Sequence, residues 1–413
     1  MRAPLCCADP AELLDLAAIE DPHSFFARVR ARHAISRVGD TGVHLVATWD
    51  LIEDALAREA DFSANLTGVL VRGDDGQPAA LELPATGANQ VIATADEPSH
   101  KVHRALAQPR LAQQRIAELE PKLRAWARHA LEPWLAAGGG DFVPLAETVP
   151  ARAVALVLGL PDRDVADHRR WAMMGGDMLA GDVSVAKMSE FGAETGRMAK
   201  YLGEHIASAP SGSAPSPDLP LLHALAHGAA THQIDMSAAV GIAIVMFGAG
   251  GESTAALIGS AAQRLAQDPA LADELRAHPE LIPRYVEEVV RLEPPFKFHY
   301  RAVRRACELG GVRFEPGDRL MLSWAAANRD PAHFAEPDAL RLDRRHAKQH
   351  LGFGRGGHFC IGAPLARLEA RVMMEELLAG TREIALRADA PPVHARSIFV
   401  RRLERLVLSC RAD

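Results

Sequence analysis

One cysteine, Cys360, lies in a glycine-rich loop whose composition suits a metal ligand. The loop reads FGRGGHFCIG from Phe353 to Gly362, and a helical pattern begins at the next residue. Its glycines remove side-chain bulk, so the backbone can approach a flat ligand closely. Backbone N–H groups at the start of a helix stabilise a thiolate, which makes the sulfur a good metal ligand. A purely structural cysteine is the alternative interpretation.

The string FGRGGHFCIG resembles the haem-binding loop of cytochrome P450, Phe-Gly-x-Gly-x-His-x-Cys-x-Gly, and every fixed position of that pattern is filled. The resemblance implies that Cys360 is the axial thiolate ligand of the iron in haem b. It also implies that Phe353, His358 and Gly362 belong to the haem site. The complete match favours the ligand over the structural cysteine.

A glutamate and an arginine three residues apart, Glu288 and Arg291, precede two prolines. On a helix the two side chains share a face and can pair, and the prolines end the helix. Such a spacing alone is common, but at this place in the chain it resembles the family's buried structural pair. The family usually adds a third basic residue, at the position of Ala339 here. Arg341 is the candidate substitute.

The resemblance also implies basic residues that hold the two carboxylates of the haem. His100 and Arg104 lie four residues apart on one predicted helix face and match the family's pattern there. A solvated helix face is the alternative. Arg301 begins a strand-like segment in which the family places another such arginine, and His358 is the remaining donor. Arginine suits a carboxylate because its guanidinium can donate two parallel hydrogen bonds.

A long helical pattern, Met236 to Leu265, contains Ala-Gly-Gly-Glu-Ser-Thr at its centre. Two adjacent glycines cost a helix about 2 kcal/mol relative to alanine, so we expect a local kink that leaves room for a small ligand. The family usually reads Ala-Gly-x-(Asp/Glu)-Thr, with Ala249 here beside the haem. Its acid and hydroxyl deliver protons during oxygen activation. Glu252 fills the acid position, Ser253 stands where threonine is usual, and Thr254 is the further catalytic candidate. A carboxylate satisfied at the surface or in the core is the alternative for Glu252.

Four residues are candidate substrate contacts by the same resemblance: Val245, Gly248, Lys297 and Ile398. Strand alternation would put Lys297 and His299 on the same face as Arg301. A lysine in an apolar pocket is costly to bury unpaired, so one hypothesis is a substrate with an anionic or strongly hydrogen-bonding group. The other is that the ammonium reaches solvent or a haem carboxylate.

The implied activity is that of a haem-thiolate monooxygenase that activates O₂ and hydroxylates or epoxidises a small organic substrate. Since the chain carries no flavin, NAD or iron–sulfur pattern, the electrons must come from a ferredoxin and an NAD(P)H-dependent ferredoxin reductase. Related oxidative chemistry such as coupling or dehydrogenation is an alternative. A peroxide-using enzyme and a non-catalytic haem sensor are the others, and the pair Glu252 and Ser253 argues against peroxide use.

An acidic ferredoxin would be attracted to a basic patch near the thiolate loop. Scattered solvated charge is the alternative. The residues expected to form the patch are Lys101, Arg110, Arg355, Arg367 and Arg371.

Composition indicates a soluble, cytoplasmic protein, and we expect it to be a monomer. Five cysteines in 413 residues are too few and scattered for a disulfide framework, and the net charge of −7 argues against general nucleic-acid binding. The N-terminal residues contain no apolar run of signal-peptide length. The most apolar stretch, Met236 to Gly251, is too short to span a bilayer, so no membrane association is expected. We expect residues 1–20 to be a mobile segment and residues 21–413 to form one domain.

Helical periodicity dominates the chain, which predicts a mostly α fold with a small β-sheet region. The resemblance implies the cytochrome P450 fold. The predicted helices are Asp21–Arg32, Trp49–Arg58, His100–Gln108, Ala117–Ala136, Val165–Leu179, Val185–Ala207, Ser237–Leu265, Pro279–Leu292 and Ala363–Leu378. The predicted strands are Ile35–Arg37, His44–Thr48, Val312–Phe314 and Arg319–Ser323.

Overall fold

Helices dominate the structure, a computed structural model that describes residues 9–83, 90–182, 185–210 and 216–412. The helices are α1 (Leu16–Glu20), α2 (Pro22–Arg32), α3 (Trp49–Ala57), α4 (Ser99–Ala107), α5 (Gln113–Ala117), α6 (Glu120–Ala136), α7 (Val143–Leu158), α8 (Val165–Ala172), α9 (Val185–Ser208), α10 (Leu221–Ala230), α11 (Met236–Gln267), α12 (Pro269–Ala277), α13 (Ile282–Leu292), α14 (Trp324–Ala327) and α15 (Ala363–Ala379). The predicted mostly α class is confirmed.

Short strands make up the remaining regular structure. They are β1 (Ile35–Arg37), β2 (Val43–Val46), β3 (Phe62–Ser63), β4 (Gly68–Arg72), β5 (Pro78–Glu82), β6 (Gly139–Asp141), β7 (Phe298–Val303), β8 (Cys307–Leu309), β9 (Val312–Phe314), β10 (Arg319–Ser323), β11 (Thr381–Leu386), β12 (Val393–His394), β13 (Leu403–Arg405) and β14 (Val407–Ala412). Three of the four predicted strands have the predicted bounds, and the fourth is shifted to Val43–Val46.

The five-stranded sheet has the order β1-β2-β10-β7-β3, in which only β2 and β10 run parallel. Strand β7 pairs with β10 so that Arg301 faces Leu320 and His299 faces Leu322. Alternate side chains of β7 therefore point to the same side. This register directs Arg301 and His299 toward the interior space beside α11.

Six of the described helices were missed by periodicity, and α7, the longest of them, shows why. Its sequence has apolar residues on nearly every side, and ten of its sixteen residues are buried. A helix without a polar face gives no amphipathic signal. Helix α8 ends at Ala172 instead of Leu179, since the chain turns at Gly175 and Gly176 to lie against α11.

Helix α11 forms the centre of the core and packs against α7, α8, α9 and α15. The helix continues without interruption through Gly250 and Gly251, the two residues at which a kink is expected. A Cβ atom at Gly250 would lie 2.7 Å from Val154, and one at Gly251 would lie 2.4 Å from Ala172. The two glycines are therefore required by the close approach of α7 and α8.

The apolar stretch in α11 is longer than the sequence suggested. Met236–Gln267 is long and apolar enough to cross a membrane by length and composition alone. Most of its apolar window is buried by other parts of this chain, however, and Ile242, Phe247 and Ile258 have no exposed surface. Burial in the protein core accounts for its composition.

Part of the N-terminal segment that is expected to be mobile, residues 1–20, packs against the rest of the fold. Residues 1–8, which include Cys6 and Cys7, lie outside the described residues, but residues 10–20 form a short 3₁₀ turn and α1. Leu13, Leu14 and Ile19 are buried in the apolar cluster that includes β2 and β7. Burial of these side chains fixes the segment to the fold.

A fully buried ion pair joins α13 to the segment that leads toward the thiolate loop. Arg291 donates to both carboxylate oxygens of Glu288, at 2.7 and 2.8 Å, and neither side chain is exposed. Its remaining N–H groups donate to the carbonyls of Asn328, Pro337 and Ala339. Where the family usually has a third basic side chain, Ala339 therefore contributes its backbone carbonyl as a hydrogen-bond acceptor.

The third basic residue of this cluster is Arg344. Its Nε donates to Glu288 at 3.0 Å, whereas Arg341 donates only its backbone N–H to that carboxylate. The side chain of Arg341 instead pairs with Glu336 and Asp343. The prediction that Arg341 supplies the third basic side chain is therefore wrong, because the turn after Ala339 directs the side chain of Arg341 outward.

Substitutions in this cluster should lower the free energy of unfolding by different amounts. Arg291→Met should lower the free energy of unfolding in urea by about 3–5 kcal/mol, because it leaves Glu288 buried without its main partner. Arg344→Met should cost about 1.5–3 kcal/mol, the usual value of one hydrogen bond to a charged group. Arg345 is an exposed neighbour, so Arg345→Met is the control and should change the free energy of unfolding little. Equal losses for Arg344→Met and Arg345→Met would show that Arg344 does not complete the cluster.

Candidate active site

A cavity of about 200 Å³ lies between α11 and the thiolate loop. Pro295, Phe296, His299, Arg301 and Trp324 also line it, together with Ala366 of α15 and Arg104 of α4. Most of the side chains on the α11 side are apolar or small. The α11 residues that line it are Val245, Met246, Ala249, Gly250, Ser253, Thr254 and Leu257.

Cys360 faces this cavity from the side opposite α11. Its backbone N–H donates to the carbonyl of Phe353 at 2.9 Å, which closes the loop. Gly354 and Gly356 have φ values of 68° and 71°, in the left-handed region that favours glycine. Burial raises the pKa of the Cys360 thiol, while the backbone N–H groups of Gly362 and Ala363 oppose this.

Helix α13 holds the thiolate loop at both ends. Glu287 accepts hydrogen bonds of 2.6 and 3.0 Å from Arg367, which follows the loop, and its second oxygen lies 3.0 Å from Nε2 of His350, which precedes it. The guanidinium of Arg367 also lies 4.5 Å from the ring centre of Phe353. These contacts fix Cys360 relative to α11.

Buried basic residues surround one end of the cavity. Arg301 is 8% exposed, and among the described residues the one hydrogen bond that its guanidinium donates goes to the carbonyl of Tyr300. Burial lowers the pKa of Arg301 to about 10, partly offset by Asp96 and Glu59. The pKa of His358 is lowered to about 3 by burial and by the charge of Arg301.

His100 and Arg104 complete this basic end. The ring of His100 stacks on that of His358 with 4.0 Å between centres, and Arg104 donates to the carbonyl of Phe359. Arg104 and His358 line the cavity, whereas His100 lies behind His358. Nε2 of His100 and Nδ1 of His358 are buried without a hydrogen-bond partner in the described part of the chain.

The residues present fit a haem group. Burying the charge of Arg301 beside unsatisfied histidine nitrogens is costly unless an anionic group lies there. The two haem carboxylates would supply such a group, and the apolar walls suit the flat ring. Ala249, Phe353 and Gly362 line the same cavity as Cys360, as the sequence predicts. His100, Arg104, Arg301 and His358 would hold the carboxylates, and Cys360 would be the metal ligand.

Ser253 and Thr254 line the cavity on the side opposite Cys360. The Ser253 hydroxyl donates a short hydrogen bond to the carbonyl of Ala249, one turn earlier. Its oxygen remains available to accept from a ligand in the cavity. Two adjacent hydroxyls of α11 thus reach the site.

Glu252, by contrast, points away from the cavity and is fully buried. One carboxylate oxygen accepts from Nε of Arg402 at 2.9 Å, and the other accepts from the backbone N–H of Gly176 at 2.6 Å. Burial raises the pKa of Glu252 to about 7, although Arg402 opposes the shift. Sequence reasoning missed Arg402, since the chain gives no local signal that joins it to α11.

Three of the four expected substrate contacts lie elsewhere. Lys297 is buried and donates to the carbonyl of Ser397 at 2.6 Å, because it precedes β7 and the strand alternation does not extend to it. Ile398 packs in the core against Gly181, and Gly248 lies against the backbone of Gly175. None of the three lines the cavity, whereas Val245 does.

His299 and Trp324 form a polar pair in the cavity wall that was not predicted as a site. Nε1–H of Trp324 donates to Nδ1 of His299 at 2.7 Å, so the proton of the neutral imidazole lies on Nε2. Burial, together with Arg301 and His358, lowers the pKa of His299 to about 3. The two-residue spacing from Arg301 was the sequence signal that could have identified His299 as a residue of the cavity wall. Its neutral imidazole provides an N–H donor at Nε2.

The expected basic patch is largely neutralised. Arg110 is buried and donates to backbone carbonyls, so it does not belong to a surface patch. Arg355 pairs with Glu53, Arg367 with Glu287, and Arg371 with Glu120 and Glu375. Paired charges attract an acidic partner much less than free ones.

Comparisons with known proteins agree with this geometry. Residues 218–380 match the family model described as Cytochrome P450. The chain is 37% identical to Cytochrome P450 144 from Mycobacterium tuberculosis. The similarity covers 97% of this chain and 94% of that protein. A second relative is the cyclomarin C epoxidase CymV of Salinispora arenicola, which is 29% identical over 86% of this chain and 87% of that protein.

A solved structure shows the same fold. The substrate-free form of the cytochrome P450 CYP150A6 from Mycobacterium marinum superposes with a TM-score of 0.81 and 25% identity. The similarity covers 99% of this chain and all of that chain. The arrangement of helices and small sheets described above is therefore the cytochrome P450 fold.

Proposed function

Since the chain belongs to the cytochrome P450 family and is a cytochrome P450 monooxygenase, we propose that it hydroxylates or epoxidises a small, uncharged and largely apolar organic molecule. The family's cofactor is haem with a cysteine thiolate ligand. When bound, it supplies reductive activation of O₂ and insertion of one oxygen atom into the substrate. The observation that carries the proposal is that Cys360, Ser253 and Thr254 line one cavity.

In this proposal Cys360 ligates the haem iron, and the loop geometry supports that role. Arg301, His358 and Arg104 bind the haem carboxylates, with His100 stacked behind His358. Two carboxylates would satisfy the buried nitrogen atoms and offset the charge of Arg301.

Proton delivery is assigned to α11. The Ser253 hydroxyl donates its one proton to the carbonyl of Ala249, so it can pass a proton into the cavity only after it rotates away from that carbonyl. Thr254 supplies a second hydroxyl in the cavity wall. Glu252 is the proton reservoir, since its pKa of about 7 allows both protonation states near neutral pH.

The lining of the cavity supports a neutral substrate. Val245, Met246, Leu257 and Phe296 present apolar surface, and Lys297 is committed to Ser397. His299 adds one neutral donor. Burying an anionic group against such walls would be unfavourable. Oxidation at an alkene is included because one relative is named as an epoxidase.

Electrons must be supplied by redox partners, as for the family in general. We propose a ferredoxin and an NAD(P)H-dependent ferredoxin reductase in the cytoplasm, acting on a monomeric, soluble enzyme. The pairing of Arg355, Arg367 and Arg371 with carboxylates supports contact by shape and local apolar surface more than by long-range charge.

The thiolate gives the direct test of the function. Wild-type protein with a surrogate ferredoxin and reductase should insert one atom of ¹⁸O from ¹⁸O₂ into a screened apolar substrate. Cys360→His should lose this activity, because imidazole cannot match the electron donation of the thiolate. An imidazole-type ferrous–CO spectrum in the wild type would contradict the thiolate assignment, and haem binding without product would indicate a sensor.

Ser253 should determine how efficiently electrons reach product. Ser253→Ala should raise the fraction of electrons lost as peroxide and lower the ratio of product to peroxide by about 100-fold, the low end of the range for a proton-transfer group. Ser253→Thr keeps the hydroxyl and restricts χ1, so its coupling should equal or exceed that of wild type. Peroxide and product per NAD(P)H are the measurements. Unchanged coupling in Ser253→Ala would assign the role to Thr254, to Glu252 or to the substrate itself.

Lys297 should have little effect on ligand binding. Lys297→Met should change the dissociation constants of neutral and anionic ligands by less than about twofold, because the ammonium does not reach the cavity. Phe296→Ala is the matched change in the cavity wall and should weaken apolar ligands by roughly 1 kcal/mol or more. Spectral titration measures both. A selective loss of anionic ligands in Lys297→Met would restore the hypothesis of an anionic substrate.

A further inference from the structure

Asp96 joins the segments that carry the basic residues of the cavity. Its carboxylate accepts a hydrogen bond from the backbone N–H of Ala64 at 2.9 Å and another from the hydroxyl of Ser63 in β3. It also pairs with Arg304, the residue that follows β7. Its backbone carbonyl accepts from the N–H of His100 in α4 at 2.9 Å. One residue therefore connects β3, β7 and α4.

These connections hold the donors that are assigned to the haem carboxylates. Arg301 lies on β7, three residues before Arg304, while His100 and Arg104 lie on α4. Residues that orient the groups around a cofactor affect its binding nearly as much as the groups in direct contact with it. Asp96 therefore sets where Arg301 lies relative to α4.

Arg301 and His358 lie between the main cavity and a second, smaller one. The second cavity has a volume of about 10 Å³, which is room for about one water molecule. Asp96 and Glu59 line it together with Arg301 and His358, which also line the main cavity. The side chain of Asp96 is 20% exposed, whereas Glu59 is an exposed residue and is screened more strongly by solvent. Asp96 is therefore the stronger negative charge behind the basic end of the main cavity.

The charge of Asp96 acts on both of these basic residues. Burial lowers the pKa of Arg301 and that of His358, and Asp96 opposes the shift in each. Reduction of the haem would add one negative charge beside them, and a fixed carboxylate behind Arg301 disfavours that addition. Arg304 offsets the carboxylate only in part, because its side chain is 41% exposed and solvent screens its charge.

We propose that Asp96 is a positioning residue that holds Arg301 and α4 around the haem carboxylates, and that its charge keeps the reduction potential of the bound haem low. This rests on the proposed function, in which Arg301 and His358 bind those carboxylates. Hydrogen bonds and charge outside the iron ligands are among the means by which a protein sets the potential of a haem. Uptake of an electron is then controlled from the carboxylate end of the haem as well as by the thiolate.

The charge is tested by the reduction potential of the haem-bound, substrate-free enzyme, measured by spectroelectrochemistry. Asp96→Asn keeps the shape of the side chain and removes its charge, so it should raise the equilibrium constant for one-electron reduction about tenfold, which is about 59 mV. Arg304→Met leaves the Asp96 charge unpaired and should lower that constant about threefold. Ser63→Ala removes a hydrogen bond but no charge and should change it by less than about twofold. Asp40→Asn is the control, since it removes a fully exposed carboxylate and changes the net charge equally.

The positioning role is tested by the rate at which ferric haem is transferred from the enzyme to apomyoglobin. Asp96→Ala removes the contacts with β3 and should raise this rate about tenfold, the low end of the usual effect for a residue that orients the groups around a metal or cofactor. Asp96→Asn keeps an acceptor for the N–H of Ala64 and should raise it by less than about twofold.

Three results would overturn the proposal. A reduction potential in Asp96→Asn equal to that of wild type would show that the charge does not act on the haem. An equal shift in Ser63→Ala would show that packing and not charge is responsible. Haem transfer from Asp96→Ala at the wild-type rate would show that Asp96 does not position the site. Neither measurement needs turnover, so both test Asp96 even if wild type forms no product, which would refute the proposed function instead.

Discussion

The buried pair of Glu288 and Arg291 on α13 is the interaction on which the site depends. Arg291 uses its donors on one carboxylate and three carbonyls, which fixes the segment between residues 328 and 344. One residue earlier, Glu287 holds both ends of the thiolate loop through His350 and Arg367. A single helix thus sets the distance between the thiolate and α11. Such buried pairs are costly to break, so the loop is held rigidly.

Different faces of helix α11 contact different parts of the structure. Gly250 and Gly251 allow α7 and α8 to approach closely, while Ser253 and Thr254 face the cavity. Glu252 faces the α8–α9 loop between these surfaces. Successive residues of a helix are about 100° apart, so three neighbours can serve packing, proton transfer and loop attachment.

Charge is distributed unevenly around the cavity. Arg301, Arg104 and His358 concentrate donors at one end, whereas the α11 side is apolar apart from its hydroxyls. An anionic cofactor group fits the first region, and a neutral substrate fits the second. The position of Lys297 is consistent with this division, because its ammonium is satisfied by a backbone carbonyl outside the cavity.

Features that depend on local spacing can be predicted from the sequence. The thiolate loop, the Glu288–Arg291 pair, the residues around Arg301 and the mostly α class all follow from residues near one another in the chain. Tertiary structure alone decided the partners that come from distant segments, such as Arg344 in place of Arg341, Arg402 beside Glu252, and Ser397 beside Lys297. The physical reason is that a buried charge takes the partner that packing brings within hydrogen-bond distance, and no local pattern encodes that choice.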